Sequence, residues 1–235
     1  MNLSKERLLV IAPHPDDEVL GCYGLINKIK KSGGKVFILY LTVGGYGRVE
    51  GNTISSEKWL KECSQVAKKL NIDGFDIFQI NKQIVHLDTI PQERLIELIE
   101  SKSKVSISKI KPTIIAIPTI FSTHQDHVVT YNVSITALRP HPQNVHHVPN
   151  MVISYEAPEY YFWSASGEFG KFVPNYFLKL SNNDVKNKIQ ILNIYKSQMR
   201  KGQRDGKSIE ALARIRGSEI GVEYAESYHI HRFFI

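Results

Sequence analysis

The sequence is poor in cysteine and contains no long apolar run. Its 235 residues include two cysteines, Cys22 and Cys63, and neither belongs to a CxxC pair. A structural disulfide is therefore not expected, and a cytoplasmic location is the default expectation. No apolar stretch approaches the roughly 18 residues of a membrane span. The short apolar stretch near the N-terminus stops at His14 without a small-residue cleavage site, which favours a first strand over a signal peptide.

The sequence also lacks the motifs of nucleic-acid and nucleotide binding. The glycine-rich segment at 42–48 contains neither GxGxxG nor GKS/GKT, so a phosphate-binding loop is not expected there. The net charge is +7, and basic chains can bind nucleic acid, membranes or anionic small molecules. Because the lysines and arginines are scattered over several predicted helices, we expect solvated helix surfaces and no nucleic-acid partner. A preference for a phosphorylated or carboxylated substrate stays open.

Strand and helix patterns alternate along the first two-thirds of the chain. Apolar runs predict strands at Leu8–Ala12, Lys35–Thr42, Phe75–Ile80, Thr113–Pro118 and Met151–Tyr155. Helical patterns lie between them at about 18–32, 56–70, 91–110 and 124–138. This alternation predicts an α/β fold with a mainly parallel sheet and helices on both faces.

The remaining third of the chain is less regular. It predicts a strand over Phe172–Leu180, a helix over Asn182–Arg200 and a last helix over Ser208–Tyr224. The length fits one large domain, and no linker interrupts it. We therefore expect a single domain over 1–235, in which 1–155 form the core and 156–235 complete it.

A cluster of ionisable residues follows the first predicted strand. The segment PHPDDE at 13–18 places His14, Asp16, Asp17 and Glu18 at a strand end, where α/β proteins place their ligands. Three carboxylates so close together repel one another unless a positive charge lies among them, and a divalent metal would supply it. A helix N-cap is the alternative, but it would account for one acid rather than three acids and a histidine.

A second cluster, HQDH at 124–127, follows the strand predicted to end at Pro118. On its own it is weak, because histidine and aspartate often cap helices or face solvent. Both clusters are nevertheless expected at the same edge of the sheet. Two imidazoles and one carboxylate, from His14, Asp17 and His127, suit a catalytic Zn²⁺, although Fe²⁺ or Co²⁺ could occupy the same set.

Three further residues are candidates for a role beside that metal. Asp16 is next to a predicted ligand without being one, which suits a general base. His124 lies one helical turn before His127 and is expected within reach of a substrate. Asp126 could orient one of the imidazoles.

A glycine-rich segment, TVGGYGR at 42–48, follows the second predicted strand. Its glycines would let the backbone approach a ligand closely. Arg48 is a candidate for the rim of the site, where it would bind an anionic substrate. The alternative is that Arg48 is an ordinary loop arginine facing solvent.

At these motifs the sequence resembles the PIG-L/LmbE-like metal-dependent deacetylases. PHPDDE matches that family's Ala/Pro-His-Pro-Asp-Asp-Glu, and HQDH matches its His-x-Asp-His, in the same order and about a hundred residues apart. Weaker echoes are TVGGYG, HLD at 86–88, YKSQ at 195–198, RG at 216–217 and AES at 225–227. Pro13 replaces the commoner alanine and Gln125 the usual proline, and neither change removes a functional group. Residues 139–180 match nothing in the family pattern.

The resemblance implies a Rossmann-like three-layer α/β sandwich and a set of roles. His14, Asp17 and His127 would be the zinc ligands, and Asp16 the general base that activates the attacking water. His124, supported by Asp126, would stabilise the oxyanion and protonate the leaving amine.

The resemblance also implies a substrate, an N-acetylglucosamine-type sugar or glycoconjugate from which an acetyl group is removed. Its possible negative charge is suggested by the net charge of the chain. Alternatives are a metal-dependent amidase acting on a non-sugar amide and a non-catalytic protein that binds a small molecule. A homo-oligomer is compatible with the sequence.

Overall fold

A computed structural model of the protein describes residues 2–43, 56–80, 86–140, 142, 146–158, 170–196 and 204–235. Within these residues the strands are β1 Arg7–Ala12, β2 Lys35–Val43, β3 Gly74–Ile80, β4 Ile114–Pro118, β5 Met151–Tyr155, β6 Tyr176–Leu180 and β7 Tyr224–Phe233. They form one sheet in the order β3-β2-β1-β4-β5-β7-β6. The first five run parallel, and β7 pairs antiparallel with both β5 and β6.

The described α-helices cover the sheet from both sides. They are α1 Asp17–Lys31, α2 Ser56–Lys69, α3 Gln92–Glu97, α4 Ile107–Ile110, α5 Gln125–Ala137, α6 Asn182–Leu192 and α7 Gly206–Ser218. Side chains of β1 alternate between two buried clusters: Leu8 and Val10 pack with α1, α2, α6 and α7, whereas Leu9 and Ile11 pack with α3, α4 and α5. The three-layer, mainly parallel α/β fold that we predicted is therefore confirmed as a single domain.

The predicted last helix over Ser208–Tyr224 is wrong over its last six residues. Helix α7 ends at Ser218, and Gly221 takes a left-handed conformation with φ +70°. Such a glycine ends a helix, and here the Val222 N–H donates to the Gly217 carbonyl at 3.0 Å. The chain then enters β7, which the sequence analysis missed although its tyrosine, isoleucine and phenylalanine residues favour strands.

The predicted helix over 91–110 is interrupted. Helix α3 passes into a π-helical turn at Leu98–Lys102 and stops, and α4 is a separate short helix. The cause is Asp76 on β3, whose Oδ2 accepts hydrogen bonds from the Ser103 hydroxyl at 2.9 Å and the Lys104 N–H at 2.8 Å. These side-chain bonds compete with the helical pattern.

The other strand and helix boundaries differ less from the predicted ones. Strand β6 begins at Tyr176 rather than Phe172, and α6 ends at Leu192, whereas residues 197–200 of the predicted helix lie outside the described residues. Cys22 and Cys63 are buried free thiols. Among the described helices, none combines the length and the apolar character needed to cross a lipid bilayer.

Candidate metal centre

The two ionisable clusters meet at one edge of the sheet. Strands β1 and β4 are adjacent and parallel, with Leu8 opposite Ile114, so their carboxyl ends lie side by side. The turn between β1 and α1 carries His14, and Asp17 begins α1. His127 lies in the first turn of α5, which follows β4. All three side chains are buried.

Three ligand atoms converge in this cluster. The distances are 3.2 Å from His14 Nδ1 to His127 Nε2, 3.5 Å from His14 Nδ1 to Asp17 Oδ2 and 3.4 Å from His127 Nε2 to Asp17 Oδ2. Donor atoms around a tetrahedral ion at metal–ligand distances of about 2.0–2.1 Å stand about 3.3–3.4 Å apart. The buried Asp17 Oδ1 has no hydrogen-bond partner among the described residues. The donor set therefore fits a divalent metal ion.

A second set of donors, from His14, His124 and Asp126, also lies close together. Both oxygens of its carboxylate are engaged in hydrogen bonds, whereas Asp17 Oδ1 has no partner among the described residues. Asp126 Oδ2 lies 3.0 Å from His14 Nε2, and Asp126 Oδ1 accepts the backbone N–H groups of His86 and Leu87 at 3.1 and 3.0 Å. The set of His14, Asp17 and His127 is therefore the better candidate for a metal site.

Asp126 lies where its carboxylate can orient His14, one of the three candidate metal ligands. Its carboxylate contacts His14 Nε2, which leaves Nδ1 to face Asp17 and His127. A carboxylate on the far nitrogen of a ligating histidine fixes the orientation of the ring. Toward His124, Asp126 contributes its backbone N–H, which donates to Nδ1 at 3.2 Å.

His124 is the N-cap of α5 and not the first residue of the helix. Because its Nδ1 accepts a backbone N–H, the hydrogen of the neutral ring is on Nε2. Burial and the neighbouring His14 lower the pKa of His124 to about 4. The neutral imidazole with a donor at Nε2 is therefore favoured at neutral pH.

The electrostatics of the cluster favour an ionised Asp17 and a neutral His127. Burial raises the pKa of Asp17, but His127 and His14 outweigh it and hold the pKa well below its usual range. Burial lowers the pKa of His127 far below its ordinary value. Burial also lowers the pKa of His14, but its hydrogen bonds to Asp126 and Asp17 raise it to about 9. A metal ion would therefore displace a proton from His14.

Asp16 has an unusual backbone conformation. It occupies the N-cap position of α1 with φ +104°, and its side chain makes no capping hydrogen bond among the described residues. A non-glycine residue in such a conformation costs about 1–3 kcal/mol and persists only where its neighbours fix it. The N-cap alternative for the acids of PHPDDE therefore fails at Asp16, whose carboxylate points elsewhere.

Arg204 is a site residue that the sequence analysis missed. Its Nη1 lies 2.8 Å from Asp16 Oδ2, and its charge contributes to lowering the pKa values of Asp17, His124 and His127. The guanidinium and the Asp16 carboxylate therefore belong to the same charged cluster. No sequence motif identifies Arg204. Arg48, our candidate for a rim residue, lies outside the described residues.

Glu18, the last acid of PHPDDE, lies behind Asp16 and is fully buried. Its Oε2 accepts the Asp16 N–H at 3.0 Å, and its Oε1 accepts the Tyr195 hydroxyl at 2.6 Å. Burial raises the pKa of Glu18 to about 7, although these hydrogen bonds oppose the shift.

The fold and the site together define a Rossmann-like α/β protein with a buried His/Asp site at the carboxyl edge of its sheet. The model of the GlcNAc-PI de-N-acetylase family, PIG-L, matches residues 9–138, more than half of the chain. The chain belongs to the PIG-L family, as its two motifs led us to expect. The matched range contains both ionisable clusters.

Individual relatives are more distant. The chain is 35% identical over 69 residues to a diacetylchitobiose deacetylase of Thermococcus kodakarensis, a match that spans 29% of this chain and 26% of that protein. The structure of an N,N'-diacetylchitobiose deacetylase from Pyrococcus horikoshii superimposes with a TM-score of 0.71 at 20% identity, covering 96% of this chain and 83% of that one.

The same fold also supports other chemistry. The 4-carboxy-2-hydroxymuconate hydratase of Pseudomonas putida KT2440 superimposes with a TM-score of 0.73 at 14% identity, covering 98% of both chains. At these identities the superpositions establish the fold alone. The reaction must therefore be argued from the residues of the site.

Proposed function

We propose that the protein is a metal-dependent hydrolase that removes an acetyl group from the amide nitrogen of an N-acetylglucosamine-type sugar or glycoconjugate. The observation that carries this proposal is the convergence of His14, Asp17 and His127, with the Asp16 carboxylate in the same charged cluster. The sugar rests on membership of a family described as GlcNAc-PI de-N-acetylase and on the match to a diacetylchitobiose deacetylase.

In this proposal His14, Asp17 and His127 hold one divalent metal. Zn²⁺ suits two imidazoles and one carboxylate, and Fe²⁺ or Co²⁺ is an alternative for the same donors. When bound, such an ion activates a water molecule and polarises a carbonyl group. Asp126 keeps the His14 ring oriented so that Nδ1 faces the other two donors.

The remaining site residues transfer a proton and stabilise the charge that develops in the reaction. Asp16 accepts a proton from the attacking water as a general base, and Arg204 stabilises its carboxylate through the contact at 2.8 Å. His124 donates a hydrogen bond from Nε2–H to the oxyanion of the transition state. The low pKa of His124 favours this role over that of the protonated acid that the family resemblance implied. The proton that Asp16 takes from the attacking water then passes to the leaving nitrogen, which departs as the free amine.

Replacing His124 with alanine is expected to lower kcat about 10²–10³-fold, as the loss of an oxyanion donor does in other enzymes. Metal content is expected to remain full, because His124 is not needed for the three-donor site. Since the donor acts mainly in the transition state, kcat and kcat/KM should fall together. Steady-state kinetics combined with metal analysis by mass spectrometry measures both.

His229→Ala is a matched control for that variant. His229 is also partly buried and bonds a backbone partner, the Val173 carbonyl, at 2.8 Å, but it lies on β7, which β5 separates from β4 in the sheet. Its kcat should stay within about twofold of the parent. A rise in KM alone for His124→Ala would mean that His124 only holds the substrate.

A substrate panel tests the proposed reaction. The parent protein is supplied with metal and with N-acetylglucosamine, diacetylchitobiose and a non-sugar N-acetyl amide, and released acetate is quantified. We expect acetate to be released from the sugars, with a kcat/KM well above that for the non-sugar amide. Equal or better cleavage of the non-sugar amide would establish the broader amidase instead, and binding without acetate release would favour a non-catalytic protein.

A negative charge on the substrate is the finer part of the proposal. Arg48 follows β2 in the sequence, and β2 is the neighbour of β1 in the sheet. A guanidinium beside the candidate metal donors would bind a phosphate or carboxylate bidentately. We expect Arg48→Lys to raise KM for a phosphorylated N-acetylglucosamine glycoside and to leave KM for its neutral counterpart unchanged. Equal kcat/KM for both glycosides at low salt, insensitive to Arg48, would defeat the anionic preference and leave the sugar preference intact.

A further inference from the structure

A buried hydrogen-bond network lies behind Asp16, and the proposed chemistry does not use it. The Tyr195 hydroxyl donates to Glu18 Oε1 at 2.6 Å, and Glu18 Oε2 accepts the Asp16 N–H at 3.0 Å. The Tyr40 hydroxyl lies 3.2 Å from that of Tyr195. All four residues are buried. The network joins β2, the segment after α6 and the start of α1 to a single residue of the site.

Asp16 needs such support because of its backbone. With φ +104° it is held in the left-handed region, where a residue with a Cβ persists only if its surroundings fix it. Its carbonyl accepts the N–H groups of Val19 and Leu20 at the start of α1, at 3.0 and 2.8 Å. Its N–H is held by Glu18. The Glu18 carboxylate therefore helps to fix the orientation of the peptide that carries Asp16.

Two sequence motifs receive a role from this network. Glu18 closes PHPDDE, and Tyr195 opens the YKSQ segment, which the sequence analysis left unexplained. Neither side chain is among the candidate metal donors or shares their ligand atoms. Among the contacts of the described residues, both reach the site through Asp16.

We infer that Tyr195 and Tyr40 are positioning residues, which act through Glu18 to hold Asp16 in the left-handed conformation that turns its carboxylate toward Arg204 and the site. The inference rests on the proposed function, in which Asp16 is the base. A base that moves even slightly from its productive position loses much of its effect. Loss of the Tyr195 hydroxyl should therefore weaken catalysis without altering the metal donors.

The first test is Tyr195→Phe, which removes one hydroxyl. We expect kcat to fall about 10- to 100-fold, with KM and metal content unchanged. Tyr228→Phe is the matched control, since the buried Tyr228 hydroxyl donates in the same way to Glu226 Oε2 at 2.7 Å but lies outside the site. Both variants should lose similar thermal stability, and the control should keep kcat within about twofold. An unchanged kcat in Tyr195→Phe would overturn the inference.

A double-mutant cycle shows whether Tyr195 acts through Asp16. In an Asp16→Asn background the base is already absent, so adding Tyr195→Phe should lower the residual rate less than about twofold. A full 10- to 100-fold further loss would mean that Tyr195 acts on another part of the site, and the inference would be wrong.

Amide hydrogen exchange at Asp16 provides a readout that does not depend on activity. In the full-length, metal-free protein, Tyr195→Phe should speed the exchange of the Asp16 N–H at least about tenfold relative to the parent and to Tyr228→Phe. If Tyr195→Phe does not fold, Tyr40→Phe is measured in the same way, with the same direction expected. Unchanged exchange would overturn the positioning role. Faster exchange in a protein that cleaves no acetylated sugar would support it while refuting the proposed reaction.

Discussion

Asp16→Asn is expected to lower kcat by about 10²–10⁴-fold, the usual effect of losing a general base, while the metal content stays at the level of the parent. Asparagine keeps the size of the side chain and an oxygen that Arg204 can bond, but it cannot take a proton from water. KM should change little, because the base contributes mainly in the transition state. The measurement is steady-state kinetics on an acetylated sugar combined with elemental analysis of the same preparation.

Asp184→Asn is a suitable control for Asp16→Asn. Asp184 lies in the first turn of α6, so replacing it removes a negative charge that favours the helix N-terminus. Stability should fall by about 0.3–1 kcal/mol, and kcat should be unchanged. Loss of metal from Asp16→Asn would instead identify Asp16 as a ligand. An unaltered kcat with full metal content would show that Asp16 is not the general base.

Asp17→Asn is expected to lose both the metal and the activity. It removes the charged donor of the three-residue set, and a catalytic metal contributes several kcal/mol of transition-state stabilisation, so activity should fall at least about 10³-fold. The variant should still fold, because an asparagine oxygen can accept the His14 backbone N–H that Asp17 Oδ2 accepts at 2.9 Å. Metal content after gel filtration measures the loss of metal, and steady-state kinetics measures the loss of activity. Circular dichroism shows whether the variant still folds.

Chelated parent protein is the reference for Asp17→Asn. Both should show the same residual rate, and added Zn²⁺, Fe²⁺ or Co²⁺ should restore the parent alone. The ion that restores the most activity at the lowest concentration is the one among these three that suits the site best. A variant that keeps one tightly bound ion per chain would show that Asp17 is not a ligand.

The sequence predicts that the two motifs lie close together, because parallel strands place their carboxyl ends at the same edge of a sheet. PHPDDE and HQDH each follow an apolar strand, and the carboxyl ends of neighbouring parallel strands lie on the same edge. The convergence of His14, Asp17 and His127 is therefore encoded in two short segments and their strands. The two segments do not specify that β1 and β4 are neighbours, because this depends on the intervening chain placing β2 and β3 on the other side of β1.

Contacts between distant segments could not be predicted in this way. Arg204 reaches Asp16 across 188 positions of sequence, and no pattern around Arg204 distinguishes it from a surface arginine. The sequence left open which imidazole Asp126 would orient, and the family resemblance named His124, yet the Asp126 carboxylate bonds His14 and the backbone of His86 and Leu87. Such pairings follow from the packing of loops on helices, which local periodicity does not specify.

The fold errors have a similar origin. The segment over 91–110 has a helical pattern, but the Asp76 side chain on β3 accepts a hydrogen bond from the Lys104 N–H. This bond replaces a helical hydrogen bond and interrupts the helix. At the C-terminus, Gly221 marks a helix end that the apolar pattern of 208–224 obscures. In both places a tertiary contact or a single glycine outweighs the periodicity of the surrounding residues.

The most direct test of the central claim is to measure acetate and free amine released from diacetylchitobiose by metal-loaded protein, chelated protein and the Asp17→Asn variant. The account predicts acetate and amine in equal amounts from the loaded parent, and rates at least about 10³-fold lower from the other two. Release at the same rate by chelated protein and by Asp17→Asn would contradict a metal-dependent deacetylase built on His14, Asp17 and His127.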